Sequence, residues 1–474
     1  MRCAFPGAIL SDMQRLCVFI AAFAAYAALF ADSADFEKIF RERAKSCATV
    51  KYIFEAEELR REITASGTVA TKDGIILLPS SAIPYYWRPS NLKDFRVFFD
   101  GGDSDGYRAD FLGVDVQWSA YFIKLRDGLP EGLRPVTDFK EAGLSVGQNV
   151  WGAALAPDLD NVPLLYRSYV AVSGMSEKGE AVCALPVAGT GLPAFDSAGN
   201  FVGWGQDAAV DSYTFYLRNG DSGPIELCDD LVTRVVIPAK NFRKILERVP
   251  SRPEGDKIGW LGIADVQAVK RDAAKFLGIE KIGAVAVGRV FDGSPAEKAG
   301  IKRGDIIVSL DGKDLPRMKS DANTLASFIF KMEGMKPGQK RKLGVLRGDK
   351  TVSVDFEAAA YPLEFRESRH AYFKRLGFSV REFVIGDAMA RKMQKPAMDA
   401  PVVQFVKPNS PASSAQPNGL GGSEIIREIN SVPVKSYAHA VEILSKINSD
   451  ESARDLVILS EDYKETKLLR IKLD

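Results

Sequence analysis

Histidine is scarce in this sequence: the 474-residue chain has two, His370 and His439, both in its last quarter. The residues before His370 contain no imidazole, the side chain that most often acts as a general base near neutral pH. Chemistry that needs a histidine base from that part of the chain is therefore excluded. Charge of one sign is also lacking, since the formal net charge is +1. Nucleic acid is not expected as a main partner, because phosphate binding needs a concentrated basic surface.

Cysteine is sparse as well, with five residues in the chain. Cys3 and Cys17 lie in or before an apolar N-terminal run, which leaves Cys47, Cys183 and Cys228. An odd number argues against a disulfide framework, although one bridge between Cys183 and Cys228 stays open beside three buried thiols. Cys183 has no histidine nearby in the sequence to activate it as a nucleophile, so we interpret it as a buried thiol.

Long hydrophobic runs are limited to one stretch, residues 16–31. It is short for a membrane span, which needs about 20 residues. It suits the apolar region of a secretory signal, with Met13 as the start and cleavage after Ala31. We therefore predict a signal peptide or N-terminal anchor in residues 1–31 and an exported, periplasmic or envelope-associated protein. An uncleaved membrane anchor and a buried helix remain alternatives.

The region 35–249 is rich in short strand patterns. Strand-sized apolar runs separated by turn signals extend from Val50 to Ile237, and a hairpin turn is expected at Asp73-Gly74. One longer helical pattern follows at 241–248. This order predicts an all-β barrel or sandwich closed by one helix.

A breaker-rich linker, residues 250–256, precedes two copies of a repeat with a period of about 115 residues. The copies span 258–358 and 371–474 and predict two small α/β modules. Three short motifs occur in the same order in both copies. In the first copy they are Leu261-Gly262-Ile263, Ser294-Pro295-Ala296 and Gly304-Asp305-Ile306. In the second copy they are Leu376-Gly377-Phe378, Ser410-Pro411-Ala412 and Ser423-Glu424-Ile425.

These motifs resemble the PDZ domains of bacterial HtrA (Deg) proteins, and residues 35–249 resemble the trypsin-like protease domain of that family. The protease-like features are the segment ending at Ser80-Ser81-Ala82, the segment 113–124, the Gly-rich turn 188–193 and the closing strand at 234–238. The resemblance implies a mainly β fold, a chymotrypsin-like double β-barrel followed by two α/β PDZ-like domains.

The resemblance places the family's catalytic His, Asp and Ser at Ser81, Ser119 and Thr190, and its oxyanion loop at Ala188 and Gly189. A hydroxyl nucleophile needs a base to take its proton, and three hydroxyls supply none. Loss of such a triad lowers the rate by about 10⁶-fold, or about 8 kcal/mol of barrier. Ala188 also stands where glycine would supply the unusual backbone of the turn. We therefore predict no functional catalytic residue.

An active serine-type endopeptidase with a rearranged site is the alternative. A Ser–Lys dyad using Lys72 or Lys124 would be its chemistry. No metal or other cofactor is predicted. The Asp-rich stretch 100–106 has the composition of a Ca²⁺ loop but lacks the terminal bidentate acid, so we interpret it as a solvated hairpin loop.

The resemblance implies that a peptide adds as a strand beside each PDZ-like loop, whose amides hold the peptide's C-terminal carboxylate. The candidate binding residues are Trp260, Leu261, Gly262, Ile263, Leu325, Ile329 and Met332 in the first module, and Arg375, Leu376, Gly377 and Phe378 in the second. A role in the core alone is the alternative for the apolar ones. His439, near the start of a helix, is either a ligand-contacting residue or a helix-surface histidine.

The expected function is peptide binding without proteolysis. The partners implied are peptide C-termini or unfolded envelope proteins, held by a chaperone, adaptor or scaffold in protein quality control. Mixing with an active HtrA relative and assembly as a homotrimer follow from the resemblance. A purely structural subunit that binds no peptide is a third interpretation.

Overall fold

The first unit of the fold is a closed six-stranded barrel. The computed structural model describes residues 35–174, 178–183, 190–206, 212–215, 225–228, 234–463 and 465–473. In barrel 1 the strand order is β1-β2-β3-β6-β5-β4, all antiparallel. The expected hairpin at Asp73-Gly74 joins β2 to β3, where Gly74 has a φ of +86°. The strands are β1 (Cys47–Ala56), β2 (Leu59–Val69), β3 (Ile75–Leu78), β4 (Leu92–Phe98), β5 (Tyr107–Asp115) and β6 (Ala120–Leu125).

A second closed barrel follows, with strand order β10-β11-β14-β9-β8-β7. Its strands are β7 (Asn149–Ala156), β8 (Val162–Ser173), β9 (Ala181–Cys183), β10 (Pro193–Asp196), β11 (Phe201–Gln206) and β14 (Arg234–Pro238), and a separate hairpin contains β12 (Ser212–Phe215) and β13 (Ile225–Cys228). Helix α1 (35–44) precedes barrel 1, and α2 (Ala239–Leu246) follows β14. The expected double β-barrel is confirmed.

Aromatic side chains fill the region where the two barrels meet. Trp151, Phe195, Phe201 and Trp204 of barrel 2 are almost fully buried, and Trp118 from the β5–β6 turn of barrel 1 joins the same cluster. Burying one large aromatic side chain contributes about 2–3 kcal/mol. The turn that carries Ser119 is therefore fixed by its neighbour Trp118 against the second barrel.

Module 1 follows the linker and is the first PDZ-like unit. A two-stranded pair β16–β19 lies beside a sheet of order β17-β18-β20-β22-β23. The strands are β15 (Gly259–Trp260), β16 (Ile263–Ala264), β17 (Gln267–Ala268), β18 (Val285–Ala286), β19 (Arg289–Val290), β20 (Ile306–Leu310), β21 (Lys313–Asp314), β22 (Lys340–Arg347), β23 (Lys350–Glu357) and β24 (Ala359–Ala360), and the helices are α3 (Arg271–Phe276), α4 (Pro295–Lys298) and α5 (Asp321–Glu333). The Ser294 and Ser320 hydroxyls cap α4 and α5.

Module 2 is the second PDZ-like unit and has a more continuous sheet, β25-β26-β27-β28-β30-β31. The strands are β25 (His370–Phe373), β26 (Phe378–Glu382), β27 (Pro401–Val406), β28 (Ile425–Ile429), β29 (Val432–Pro433), β30 (Asp455–Glu461) and β31 (Thr466–Lys472), and the helices are α6 (Ile385–Ala390) and α7 (Tyr437–Ser449).

Side chains of barrel 1 contact both modules. Gln117 Nε2 donates to Phe330 O of α5 at 3.0 Å, and the Trp118 ring meets the Phe330 ring edge-on at 5.1 Å. Arg88, which is 3% exposed, donates to Ser368 O at 2.8 Å and to Gln404 Oε1 at 2.7 Å in module 2. These contacts hold each module against barrel 1.

The apolar run 16–31 and the expected cleavage after Ala31 lie outside the described residues. In the part of the chain that the structure describes, no helix is both long enough and apolar enough to cross a bilayer. Cys47 and Cys183 are buried free thiols, so the Cys183–Cys228 bridge that the sequence left open is not formed.

Candidate functional site

The three positions that the sequence resemblance aligns with a protease triad lie on three separate segments. Ser81 is exposed in the short 3-10 helix Ser80–Ala82, which follows β3. Ser119 is half-buried at the end of the β5–β6 turn, and Thr190 is half-buried ahead of β10. Ala188 and Gly189, the expected oxyanion loop, lie outside the described residues.

Backbone contacts bring these three segments together. Gly191, next to Thr190, has a φ of +84°, and a Cβ there would lie 2.4 Å from Pro79 Cδ, just before the Ser81 helix. Gly191 N donates to Gly205 O at 2.9 Å. The next residue, Gln206, donates from Nε2 to Trp118 O at 3.0 Å, beside Ser119. The segments that carry Ser81, Ser119 and Thr190 therefore lie close together.

The carboxylate nearest to Ser119 in the sequence, that of Asp115, already has hydrogen-bond partners. Asp115 is buried, and its side chain accepts a hydrogen bond from Trp118 N at 2.9 Å and one from Arg248 Nε at 2.6 Å. Within the described residues, the Ser81 and Ser119 hydroxyls make no side-chain hydrogen bond. Ser119 has a φ of +54°, and its backbone N–H donates to Val116 O at 3.3 Å. Asp115 thus holds the turn and the Arg248 guanidinium, and it does not act as an orienting carboxylate for a base.

The two lysines considered as alternative bases are ion-paired on the surface. Lys124 Nζ lies 2.8 Å from Asp73 Oδ2, and Lys72 Nζ lies 3.3 Å from Asp138 Oδ1. Each side chain is more than one-third exposed, at 44% for Lys124 and 76% for Lys72. Both ammonium groups are thus held by carboxylates on the surface, so neither lysine is placed as the base of a Ser–Lys dyad.

Cys183 is fully buried in β9, and burial raises the pKa of its thiol to about 11. The nucleophilic form of cysteine is the thiolate, which such a pKa makes rare near pH 7. In the described ranges no group of three or more His, Cys, Asp or Glu side chains is arranged to hold a metal ion.

Module 1 contains an apolar groove of about 350 Å³ between its loop and α5. Trp260, Leu261, Gly262 and Ile263 line it together with Ile329 and Met332. Leu325 does not line the cavity but packs against the module's core. The structure thus assembles the proposed loop and most of the proposed helix wall around one cavity.

The loop of module 1 is held by its carbonyl groups. Leu261 O accepts from Ala296 N at 2.8 Å, and Gly262 O accepts from Phe291 N at 2.9 Å. Gly262 has a φ of +92°, and a Cβ there would lie 2.1 Å from Ser294 Cβ, so only glycine fits. Strand β16 pairs with β19 alone among the described strands. Its other edge is open to an added strand.

The matching loop of module 2 is closed by the module itself. Strand β26 pairs with β27 on one edge and with β25 on the other, where His370 faces Arg381 and Phe373 faces Phe378. Leu376 and Phe378 are fully buried in the module core. The strand that precedes the loop thus occupies the edge where a peptide would add.

Arg375 and His439 also serve the fold of module 2. Arg375 donates from its guanidinium to Ile447 O at 3.0 Å, Asp450 O at 2.8 Å and Ala453 O at 2.6 Å, at the end of α7. His439 Nδ1 accepts from Lys435 N at 3.2 Å at the start of that helix. Both polar groups therefore stabilise helix ends, a use of these residues that the sequence analysis did not foresee.

One acidic residue of the groove was not singled out from the sequence. Glu333, the last residue of α5, lines the cavity of module 1, and burial raises the pKa of its carboxyl to about 7. The carboxylates of Asp115 and Glu364 add to the rise, and Lys178 opposes it. A carboxylate at a helix C-terminus is disfavoured by the helix dipole, and this is the signal in the sequence that could have found it.

Residues 259–357 match the PDZ domain family. Relatives named probable periplasmic serine endoprotease DegP-like include one from Pseudomonas putida F1, 25% identical over 82% of this chain and 75% of that protein. Another, from P. putida GB-1, is 26% identical over 56% of this chain, which spans 50% of that protein's length.

Among solved structures, the HtrA-type protease AlgW with a decapeptide aligns over 69% of this chain and 99% of that chain, with 16% identity and a TM-score of 0.49. By its sequence relatives and its PDZ match this chain is similar to HtrA/DegP-like proteins, and the double barrel agrees with that similarity.

Proposed function

We propose that this HtrA/DegP-like chain is catalytically silent and holds extended peptide segments in the groove of module 1, as a chaperone, adaptor or scaffold. One observation carries the proposal. The double barrel has no histidine, and the triad positions are Ser81, Ser119 and Thr190. Hydroxyl groups can donate and accept hydrogen bonds, but they cannot take a proton from a nucleophile near neutral pH.

The surroundings of Ser81, Ser119 and Thr190 support the absence of proteolytic activity. Asp115 is bonded to Trp118 N and Arg248, and Lys72 and Lys124 are each paired with a carboxylate. None of these three groups is placed to act as a base where a protease would have its histidine.

The open edge of β16 supports peptide binding. An extended peptide can add to that edge through main-chain hydrogen bonds while its side chains enter the apolar cavity beside α5. Module 2 has no such edge at β26, so we assign binding to module 1.

A casein-hydrolysis assay of the purified protein tests the silent site. We expect no turnover above buffer, and no change in Thr190→Ala or in the exposed control Thr351→Ala. Hydrolysis by the wild-type protein that disappears in Thr190→Ala alone would overturn the proposal and establish an active endopeptidase.

Fluorescence anisotropy with labelled apolar peptides tests the groove. Ile263→Asp places a charge in the cavity and is expected to weaken binding at least about 30-fold, as for a central interface residue. Phe276→Asp is the matched control, because Phe276 is 92% exposed in the same module and does not line the cavity. Equal binding by both variants, or no binding by the wild type, would contradict peptide capture there.

We also propose that the chain is exported, because its relatives are named periplasmic. Fractionation of the producing cell, with N-terminal sequencing of the mature protein, tests this. Recovery in the cytoplasmic fraction with residues 1–31 retained would refute it.

A further inference from the structure

The charged side chains that line the groove of module 1 all have one sign. Asp265, Glu333 and Glu364 line the cavity, and among the described residues no lysine, arginine or histidine does. The remaining wall is largely apolar, with the Tyr361 ring at one side. A peptide that ends in a free carboxylate would therefore enter a cavity that supplies negative charge and no side-chain cation.

Two of these carboxylates are already paired. Asp265 Oδ2 lies 3.1 Å from Arg289 Nε, and Glu364 Oε2 lies 3.2 Å from Arg366 Nη2. Glu333 forms no hydrogen bond or ion pair of its own among the described residues, so its carboxyl is available to a ligand.

We propose that Glu333 selects the ligand of this groove: an apolar peptide segment that carries a lysine or arginine side chain, in preference to a free C-terminal carboxylate. This rests on the proposed peptide binding by module 1. The cation of the ligand would lie at the end of α5 and pair with Glu333, while its neighbouring side chains fill the apolar cavity beside Trp260 and Met332.

The helix end favours the same ligand. The C-terminus of α5 carries partial negative charge, which attracts a cation and repels a carboxylate. The loop amides could still hold a terminal carboxylate, but only against the charge of Glu333 or with a proton shared between the two carboxyl groups.

Protonation of Glu333 gives the proposal a pH signature. The charged and titratable groups around it are Lys178 and Asp115 of the barrels, with Glu364 and Tyr361 on the segment after β24. Because the pKa of Glu333 is raised to about 7, its charge is lost as pH falls through that value. Affinity for a cationic ligand should fall with it, and affinity for a free acid should rise.

Three short labelled peptides with the same apolar core test this on the full chain. The first has a lysine and a C-terminal amide, the second has glutamine at that position and an amide, and the third has the same glutamine and a free acid. At about pH 8 we expect the wild type to bind the lysine peptide about tenfold more tightly than the glutamine amide, and the free acid least tightly. The lysine preference should shrink towards about pH 6.

Glu333→Gln should bring the three affinities to within about twofold of one another and remove the pH dependence. Glu357→Gln, at an exposed carboxylate of the same module outside the cavity, is the matched control and should keep the preference. Equal binding of lysine and glutamine amides by the wild type would overturn the selection. Tightest binding of the free acid at about pH 8 would do the same. If none of the peptides binds, the proposed function fails instead.

Discussion

Modules 1 and 2 share a Leu-Gly-apolar loop, yet they use that loop in opposite ways. In module 1 the strand after the loop has one partner strand and an open edge beside an apolar cavity. In module 2 the corresponding strand has partners on both edges, and the loop is buried and bonded to the end of its own helix. The loop motif therefore specifies a backbone shape, whereas strand pairing decides whether a ligand can enter.

The largest expected difference between the modules is in the stability lost when the last residue of each Leu-Gly-apolar loop is replaced by alanine. Phe378 is fully buried in module 2, and Ile263 lines the cavity of module 1. Phe378→Ala should lower the local unfolding free energy of module 2 by about 3–5 kcal/mol, because it leaves a core cavity. Ile263→Ala should cost about 1 kcal/mol and mainly weaken peptide binding. Hydrogen exchange in β26 and in β16 measures the change in local unfolding free energy in each module. Equal losses of stability in the two modules would contradict the different roles given to the two loops.

A smaller difference concerns pH. Glu333 ends α5, whereas Ser449 ends α7. Since burial raises the pKa of Glu333 from 4.5 to about 7, folding favours its protonated form, and stability falls as pH rises between those values. The effect is at most about 3 kcal/mol. Hydrogen exchange in α5 should therefore speed up with rising pH, beyond the intrinsic chemical rate, more in the wild type than in Glu333→Gln. An identical pH profile in both proteins would refute the assignment, and α7 is the internal control.

The smallest expected effect tests whether module 2 takes any part in peptide binding. Arg375→Ala removes three hydrogen bonds to carbonyl oxygens at the end of α7, and should destabilise that helix end by about 1–2 kcal/mol. Peptide affinity measured by anisotropy should stay unchanged. A loss of affinity together with intact exchange protection in α7 would instead assign binding to module 2.

The sequence predicted the barrels well because their signals are local. Short alternating strands and the Asp73-Gly74 turn depend on neighbouring residues, and the absence of histidine can be read without any structure. The pairing of β25 with β26 could not be predicted, because the pattern 370–373 is equally consistent with a strand on the other side of the module. Leu325 was misplaced for a related reason: helical spacing gives a face, but core and groove share that face of α5.

The proposed groove also contains residues that sequence spacing could not bring together. Val116 of barrel 1 and Met389 of α6 line the cavity of module 1, although they are far apart in the chain. These contacts arise from the packing of barrel 1 and module 2 against module 1, so a periodic pattern within one module cannot predict them. Glu333 was missed for a different reason, since burial in the folded protein is the main cause of its raised pKa.

The hairpin of β25 and β26 has a consequence for valency. A chain with two open grooves could bridge two clients, or two distant stretches of one client, and so build cross-linked networks. Because β25 already pairs with β26, the two described modules leave one such loop strand with an open edge, that of β16. Any bivalent capture, with the gain in avidity that follows, would then have to come from bringing several chains together.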